Sequence, residues 1–490
     1  MPQAPDLKVY RATHCAFRPA IGLMLLVTLV VSWTAAQEVQ GIESRIVDEV
    51  TSHNEIEKNL RFITNMIGPR LTGTDAQLRA SEWSAERLRD YGLANVHLEG
   101  FKIAHAWKRG AVRAHIVKPA EVPILLRAEA AGWSPNTTGM VRGRIVYFPA
   151  KTQQEIHVFH GDLRNAIVIT ERPHRTRSLQ DKLKEERNSL PEDTEANLQL
   201  KRDEFLKAEG ALAILRDSDK QFGLFDMNYA GFAFQPGPLP EAYLTPESYD
   251  MIWDLLQYGG VEVELSIEGC TFSEMPVEVF NTVGDIVGAE HSDEMVILAA
   301  HIDSWDLGTG AMDNGTGVAA VLEAARALKN LKIASKRTIR FVLFTGEEEG
   351  MFGAKAYVEK HRKELTNISA VLVHDDGTGR VDTISLQGNG AIFDVLTKAL
   401  SPLRDTLALD VLSMRGGEGS DHDVFNAMGV PAFFCQQQPE SYDLLHHSQA
   451  DTFDKAIPAN LIQGAQVLAA FAFRVAEMDR LLPRPKLSTQ

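Results

Sequence analysis

The chain has little positive charge, few cysteines and only one long apolar run. Its 490 residues include 50 Lys and Arg against 66 Asp and Glu, which gives a formal net charge of -16. Nucleic acids and anionic membrane surfaces are bound through basic patches, so this balance argues against both as partners. With 44% hydrophobic and 24% charged residues, the composition is that of a globular protein. The length allows two sizeable cores.

The scarcity of cysteine excludes a cysteine-based metal site. Cys15 lies in the N-terminal segment, and the remaining two, Cys270 and Cys435, are far apart without a CxxC spacing. Two interpretations stay open for them, one disulfide in an exported protein or two buried free thiols.

The single apolar run, residues 20–33, follows three basic residues and precedes small residues at positions 34–36. This is the pattern of a signal peptide, and the run is shorter than the ~20 residues of a membrane span. We predict that residues 1–36 are removed, that the mature protein is secreted or periplasmic, and that it has no stable membrane insertion. An uncleaved anchor is the alternative.

Hydrophobic periodicity predicts an α/β fold for the C-terminal half. Residues 294–301 and 338–344 are nearly continuous apolar strands, typical of a buried parallel sheet, and residues 315–331 between them have helical spacing. We predict a mostly parallel, mixed sheet with helices on both faces. Near the N-terminus, the spacing of residues 42–67 predicts one helix that ends before Gly68 and Pro69.

Polar side chains follow three of the predicted strands directly. His301 and Asp303 follow the first, the glutamates at 347–349 follow the second, and Asp375 and Asp376 follow a third apolar strand at residues 369–374. In open α/β sheets, ligands gather beyond the carboxyl ends of the strands, so we expect these groups to meet at one edge. Any one of these residues alone is explained as an ordinary loop residue. The preference of acidic residues for loops does not explain the whole set as well.

Asp313, in a glycine-rich turn, and His447, in the sequence HHSQAD, complete a candidate metal site. Without cations, packing so many carboxylates together would place like charges side by side at a large cost. Imidazole and carboxylate ligands without thiolates suit a catalytic Zn²⁺ site, with Mn²⁺ and Co²⁺ as alternatives.

The motifs as a set resemble the dizinc exopeptidase family of leucyl aminopeptidases and glutamate carboxypeptidases. The matching stretches are HIDSWDLGTGAMDNGTG from His301, FTGEEEG from Phe344, DDGTG from Asp375, GSDH from Gly419 and HHSQAD from His446. The HxDSWD and HHS variants are most similar to the carboxypeptidase Q branch. The similarity covers about residues 276–482 and, more weakly, 44–104.

The resemblance implies two Zn²⁺ per chain. It places one zinc on His301 and Asp375, the other on Glu348 and His447, and makes Asp313 the bridge between them. The ligand assignments prefer Asp375 to Asp376 and His447 to His446 because of their positions in the family's motifs.

The resemblance also implies roles for the neighbouring residues. Glu347 is the expected general base, and Asp303 is expected to lie behind His301 and fix its tautomer. Tyr442 and the GSDH segment are expected to shape the substrate pocket, although a structural turn accounts for Gly419 and Ser420 equally well. His422 within it is either a hydrogen-bonded loop residue or a substrate contact.

The implied function is a secreted metallo-exopeptidase, similar to carboxypeptidase Q, that hydrolyses dipeptides or short peptides. An aminopeptidase of the same mechanism is the first alternative, a single-zinc glutaminyl cyclase is another, and a non-catalytic binding protein on the same fold is the most remote. A short peptide is the expected partner, and the oligomeric state stays open, with a homodimer among the options.

The implied domain organisation has a catalytic domain in two parts, residues 37–110 and 271–490. Residues 111–270 are expected to be an inserted β-rich lid domain of the protease-associated kind, since this region is rich in short strand patterns and carries no catalytic motif.

Overall fold

The computed structural model describes residues 41–159, 161–174, 192–407, 411–416 and 419–484. The predicted signal peptide, residues 1–36, lies outside these ranges. Within them, every helix is too short or too polar to cross a bilayer.

The helices are numbered here in chain order. They are α1 Ile42–His53, α2 Ile56–Arg61, α3 Asp75–Asp90, α4 Gln153–His157, α5 Glu192–Ala208, α6 Pro246–Leu256, α7 Thr316–Asn330, α8 Phe352–Lys360, α9 Phe393–Leu407, α10 His422–Ala427, α11 Tyr442–Leu445 and α12 Pro458–Ala476. Short 3₁₀ or π turns add Phe62–Ile67, Ala311–Gly315, Leu365–Asn367, Gly390–Ile392 and Phe453–Lys455.

The strands are likewise numbered in chain order. They are β1 Ala94–Ile103, β2 Trp107–Lys108, β3 Ala111–Lys118, β4 Ile124–Leu126, β5 Ala128–Ala130, β6 Val141–Tyr147, β7 Ala166–Ile169, β8 Ala213–Asp217, β9 Glu241–Leu244, β10 Glu262–Glu268, β11 Thr271–Phe272, β12 Val277–Ile286, β13 His291–His301, β14 Arg337–Phe344, β15 Ile368–Val373, β16 Val381–Ser385, β17 Val411–Ser413 and β18 Ala432–Gln437.

The main sheet has eight strands in the order β1-β12-β14-β13-β15-β18-β16-β17. Its centre is parallel, because β13 pairs in parallel with β14 and β15, and β15 pairs in parallel with β18. Antiparallel pairs flank this centre, where β12 meets β14 and β16 meets β18. The predicted fold class, a mostly parallel mixed sheet with helices on both faces, is confirmed.

Both faces of the main sheet are covered by apolar side chains. On one face, α7 and α12 pack together over the sheet, with 13 of the 15 residues of α7 and 14 of the 19 residues of α12 buried. The other face packs against Tyr357 of α8 and Phe425 of α10. Burial of each large apolar side chain stabilises the fold by about 1.5–3 kcal/mol, so the central strands are rigid supports for the residues at their ends.

The first helical segment differs from the prediction of one helix over residues 42–67. The structure ends α1 at His53 and begins α2 at Ile56. Asn54 between them has extended backbone angles, and its side chain donates to Val50 O at 2.9 Å. The backbone N–H of Glu55 donates to the Glu323 carboxylate of α7 at 3.0 Å. Local and tertiary hydrogen bonds therefore replace the helical ones at this point.

A second eight-stranded sheet, with the order β4-β3-β10-β6-β7-β8-β9-β5, is built from residues within 111–268, called the inserted unit below. Strands β6 to β9 pair in parallel, and the pairs β3–β4, β3–β10, β6–β10 and β5–β9 are antiparallel. One face packs against α4 and α5, and Tyr249 and Ile252 of α6 are buried with the apolar side chains of the other face. One apolar core lies wholly within the inserted unit, and the other is shared with Trp107, Val279 and Trp305 outside it.

Both cysteines among the described residues are buried free thiols. Of the two interpretations left open for Cys270 and Cys435, the structure contains the free pair and no disulfide between them.

Candidate metal centre

The main sheet delivers polar side chains to one edge, as the sequence predicts. His301 is the last residue of β13, Glu347 follows the end of β14 by three residues, and Asp375 follows the end of β15 by two. Because these three strands are parallel neighbours, their carboxyl ends lie side by side. Asp313 sits on the distorted turn Ala311–Gly315 before α7, and its peptide bond to Asn314 is cis.

One cluster joins His301, Asp313 and Asp375. Nε2 of His301 lies 3.0 Å from Asp313 Oδ1 and 3.1 Å from Asp375 Oδ1. The His301 side chain is buried, and the two carboxylates are nearly so. The three ligand atoms all lie within 4.8 Å of one another, the spacing of groups that share a metal ion.

A second cluster joins Asp313, Glu348 and His447. Nε2 of His447 lies 2.8 Å from Glu348 Oε2 and 3.4 Å from Asp313 Oδ2. Asp313 therefore offers one carboxylate oxygen to each cluster. The structure brings the five predicted ligands together in the two groups that the resemblance implies.

The donor set fits zinc. In a tetrahedral site with bonds of about 2.0–2.1 Å, ligand atoms lie roughly 3.3 Å apart, close to the 2.8–3.4 Å between the donors here. Each cluster combines one imidazole nitrogen with two carboxylate oxygens. Burial, together with the neighbouring Asp313 carboxylate, raises the pKa of Glu348 well above its ordinary range. A divalent cation relieves this crowding of negative charge.

The three consecutive glutamates after β14 point in different directions. A tight turn, in which the N–H groups of Gly350 and Met351 donate to Glu347 O, sets their positions. Glu348 turns to His447 and also accepts the backbone N–H of Trp305 at 3.2 Å. Glu349 is buried beside Asp303. Glu347 belongs to neither cluster. Burial raises the pKa of Glu347 well above its ordinary range, and Asp375 adds to this while His301 opposes it.

The residues behind the ligands hold them from several sides. Nδ1 of His301 faces Asp303 Oδ1 at 3.6 Å, which places Asp303 where a tautomer-fixing carboxylate belongs. Asp303 also accepts hydrogen bonds from Thr72 Oγ1 at 3.2 Å and from the backbone N–H of Glu348 at 3.3 Å. Ser420 Oγ donates to Asp375 Oδ2 at 2.6 Å. Sequence patterns assign no role to Thr72, and they predict Ser420 in the substrate pocket or a structural turn and not as a hydrogen-bond donor to a ligand.

Arg70 is a further support that sequence reasoning missed. Its guanidinium is fully buried and donates to four backbone carbonyls, those of Gly68, Ile302, Thr309 and Gly310. It thereby ties the segment after β13 to the chain before α3. Nothing in the local sequence distinguishes this arginine from an exposed one.

Three residues that the sequence offered as other candidates for the site, Asp376, His446 and His422, belong to neither cluster. Asp376 accepts the backbone N–H of Gln437 at 2.8 Å and belongs to neither cluster. The ring of His446 stacks on that of His447, with 3.6 Å between their centroids. His422 is fully buried with its ring 5.1 Å from that of Phe434, so it is not an exposed substrate contact.

The inserted unit lies against the metal-centre edge. The backbone N–H of Met227 donates to His447 O at 3.0 Å. The ring of Phe234 is 4.8 Å from that of Phe352, which begins α8 after the glutamate turn. Directly before the inserted unit, Arg109 forms a two-point ion pair with Asp306, with Nε–Oδ2 and Nη2–Oδ1 distances of 2.9 and 2.6 Å.

Comparison with known proteins finds similarity to peptidases over much of the chain. Residues 281–472 match the model described as peptidase family M28. Human carboxypeptidase Q is 28% identical over 438 residues, which cover 88% of each chain.

Two solved structures are similar to this chain over most of its length. A peptidase M28 precursor from Shewanella amazonensis SB2B superposes with a TM-score of 0.75 at 26% identity, covering 92% of this chain and 99% of that one. A zinc aminopeptidase from Bacillus subtilis has a TM-score of 0.62 at 20% identity, covering 87% of this chain and 95% of that one, which shows the fold alone.

Proposed function

Given that this chain is a metallopeptidase with a peptidase family M28 domain, we propose that it is an exported exopeptidase that uses two zinc ions to hydrolyse dipeptides or short peptides. One observation carries the proposal: the two carboxylate oxygens of Asp313 face two separate His-and-carboxylate clusters. A single-metal enzyme needs only one such cluster.

The residues of the metal centre have separate roles in peptide hydrolysis. His301 and Asp375 would hold one zinc and Glu348 and His447 the other, with Asp313 shared, and the bound zinc would activate a water and polarise the scissile carbonyl. Glu347 takes a proton from the attacking water and returns it to the leaving amine, since it lies outside both clusters yet follows β14 at the same edge. Asp303 holds the Nδ1–H of His301 so that Nε2 stays directed to the metal.

The inserted unit is proposed to act as a lid domain that limits substrate length. Met227 and Phe234 bring it against both the His447 segment and the segment that follows the glutamate turn. A wall at this edge excludes water and closes one end of the cleft, which favours short substrates over long chains.

Carboxypeptidase activity is proposed ahead of aminopeptidase activity. The support is the similarity to carboxypeptidase Q along 88% of both chains, together with the HxDSWD and HHS motifs. The sequence pattern of residues 1–36 supports export.

The test compares an unblocked dipeptide with its N-acetyl form and its C-terminal amide at equal concentration. Loss of cleavage with the amide alone is the expected result. Loss with the acetyl form alone would assign an aminopeptidase. Efficient cleavage in the middle of a long peptide blocked at both ends would overturn the exopeptidase proposal.

A further inference from the structure

The two histidines of the metal centre are arranged in the same way. Each directs Nε2 into a cluster and turns Nδ1 towards a carboxylate. For His301 that carboxylate is Asp303, at 3.6 Å, and for His447 it is Asp226, whose Oδ1 lies 3.9 Å from Nδ1. Asp303 belongs to the same segment as His301, whereas Asp226 comes from the inserted unit.

The Oδ1 atom of Asp226 is available as a hydrogen-bond acceptor. Its Oδ1 is buried although the side chain as a whole is partly exposed, and it accepts no hydrogen bond from any residue that the structure describes. Lys220 Nζ lies 3.2 Å from the same oxygen as an ion-pair partner. A neutral imidazole bound to metal through Nε2 carries its N–H on Nδ1, and an approach of about 1 Å brings this oxygen within hydrogen-bond distance of that N–H.

The inserted unit also holds the backbone of this segment. Lys220 donates to His446 O, and the N–H of Met227 donates to His447 O at 3.0 Å. His447 itself has a positive φ of 54°, a conformation that residues other than glycine adopt only when their surroundings hold it. The inserted unit therefore contacts the backbone of His446 and of His447 and places one carboxylate beside the His447 ring.

We propose that Asp226 is a positioning residue of the metal centre, whose carboxylate accepts the Nδ1–H of His447 and keeps Nε2 directed at Glu348 and Asp313. The zinc position on Glu348 and His447 then depends on the inserted unit, while the position on His301 and Asp375 does not. This inference rests on the proposed two-zinc function.

The experiment measures zinc retained by the full-length protein after dialysis against increasing chelator concentrations. We expect Asp226→Ala to lose one zinc equivalent at a chelator concentration at least ~10-fold lower than the wild type, and to keep the other equivalent. Asp226→Asn should be intermediate, because its amide oxygen still accepts a hydrogen bond, and Asp226→Glu should recover most of the loss. Added zinc should restore the peptidase activity of Asp226→Ala.

Asp162→Asn is the matched control, since Asp162 is an exposed carboxylate of the same inserted unit in an ion pair with Arg144 at 2.7 Å. It should behave as wild type. Wild-type retention of both equivalents by Asp226→Ala, or equal loss of both, would overturn the inference. So would an equal fall in the Tm of the metal-free protein in all three Asp226 variants, which would assign a structural role. A wild type that holds one zinc would refute the two-zinc function instead. If His447→Ala sheds that zinc, its unchanged retention by Asp226→Ala would overturn this inference as well.

Discussion

Asp451 holds the backbone of Asp313 in place: its Oδ2 accepts the Asp313 N–H at 3.1 Å. Its Oδ1 accepts the N–H groups of Ala311 at 2.9 Å and Met312 at 2.5 Å. The shared carboxylate of the metal centre is thus positioned by a second carboxylate from a distant part of the chain.

Asp451→Asn should weaken the whole centre, because the amide places an N–H donor where the backbone also donates. We expect a loss of about 1.5–3 kcal/mol in the free energy of unfolding and a ~10–100-fold loss of zinc affinity at both positions. Urea denaturation and metal titration measure the two effects. Asp454→Asn, at an exposed neighbour paired with Lys455, is the control and should change neither. Loss of zinc from one position only would contradict the role given to Asp451.

Arg70→Lys should destabilise the fold by at least about 2–3 kcal/mol. An ammonium group retains the charge but cannot reach the four carbonyls that the planar guanidinium contacts, so buried carbonyls lose their donors. Denaturant unfolding of the metal-free protein tests this without any contribution from zinc. Arg113→Lys, at an exposed arginine paired with Glu268, is the matched control. Equal stability of the two variants would refute the role of Arg70.

Much of the centre could be predicted because its residues lie at the ends of parallel strands. Apolar runs identify β13, β14 and β15, and the polar residues that follow them must meet at one edge. Arg70 and Asp226 could not be found in this way. Three of the four carbonyls that Arg70 contacts lie more than 200 positions away, and Asp226 reaches His447 only because the inserted unit folds back onto the main sheet. Neither belongs to a local pattern.

Helix boundaries were predicted less well where side chains compete with the helix. Apolar spacing carries straight through residues 42–67, yet Asn54 turns its side chain back to Val50 and Glu55 bonds to Glu323 of α7. The second of these bonds is tertiary, so periodicity alone contains no sign of it.

Glu347 and Glu348 should respond differently to the same substitution. Glu347→Gln should keep both zinc ions and lose at least ~10²-fold in kcat, because it removes the proton acceptor alone. Glu348→Gln should lose zinc from one position, since Glu348 belongs to the cluster with His447. Metal content and steady-state kinetics distinguish the two. Glu359→Gln, an exposed glutamate paired with Arg362, serves as control. Zinc loss in the Glu347 variant with retention in the Glu348 variant would reverse the assignment.

Glu99 should make stability depend on pH. Burial alone would raise its pKa, but hydrogen bonds from His361 and His97 lower the pKa to about 2 from an ordinary value of 4.5. The hydrogen bond to Glu99 in turn raises the pKa of His361 above 6.5. The stabilisation from Glu99 is therefore present above pH 4.5 and lost as the pH falls towards 2. That from His361 is complete below pH 6.5 and lost as the pH rises through its raised pKa.

Glu99→Gln should consequently be most destabilising between about pH 4.5 and 6.5. Because His97 and Lys360 beside Glu99 are exposed and screened by solvent, we expect about 1–2 kcal/mol there. Urea unfolding of metal-free wild type and variant across pH 3–9 measures the difference. A difference that does not vary with pH would contradict the pairing of Glu99 with His361.

The most direct test of the two-zinc account is a zinc titration of the metal-free wild-type protein, with dipeptide cleavage as the readout. Because Asp313 faces both clusters, the account predicts that activity rises until two equivalents are bound per chain and then stays constant. Activity that is complete at one equivalent, or a chain that binds one zinc tightly without cleaving any peptide, would contradict it.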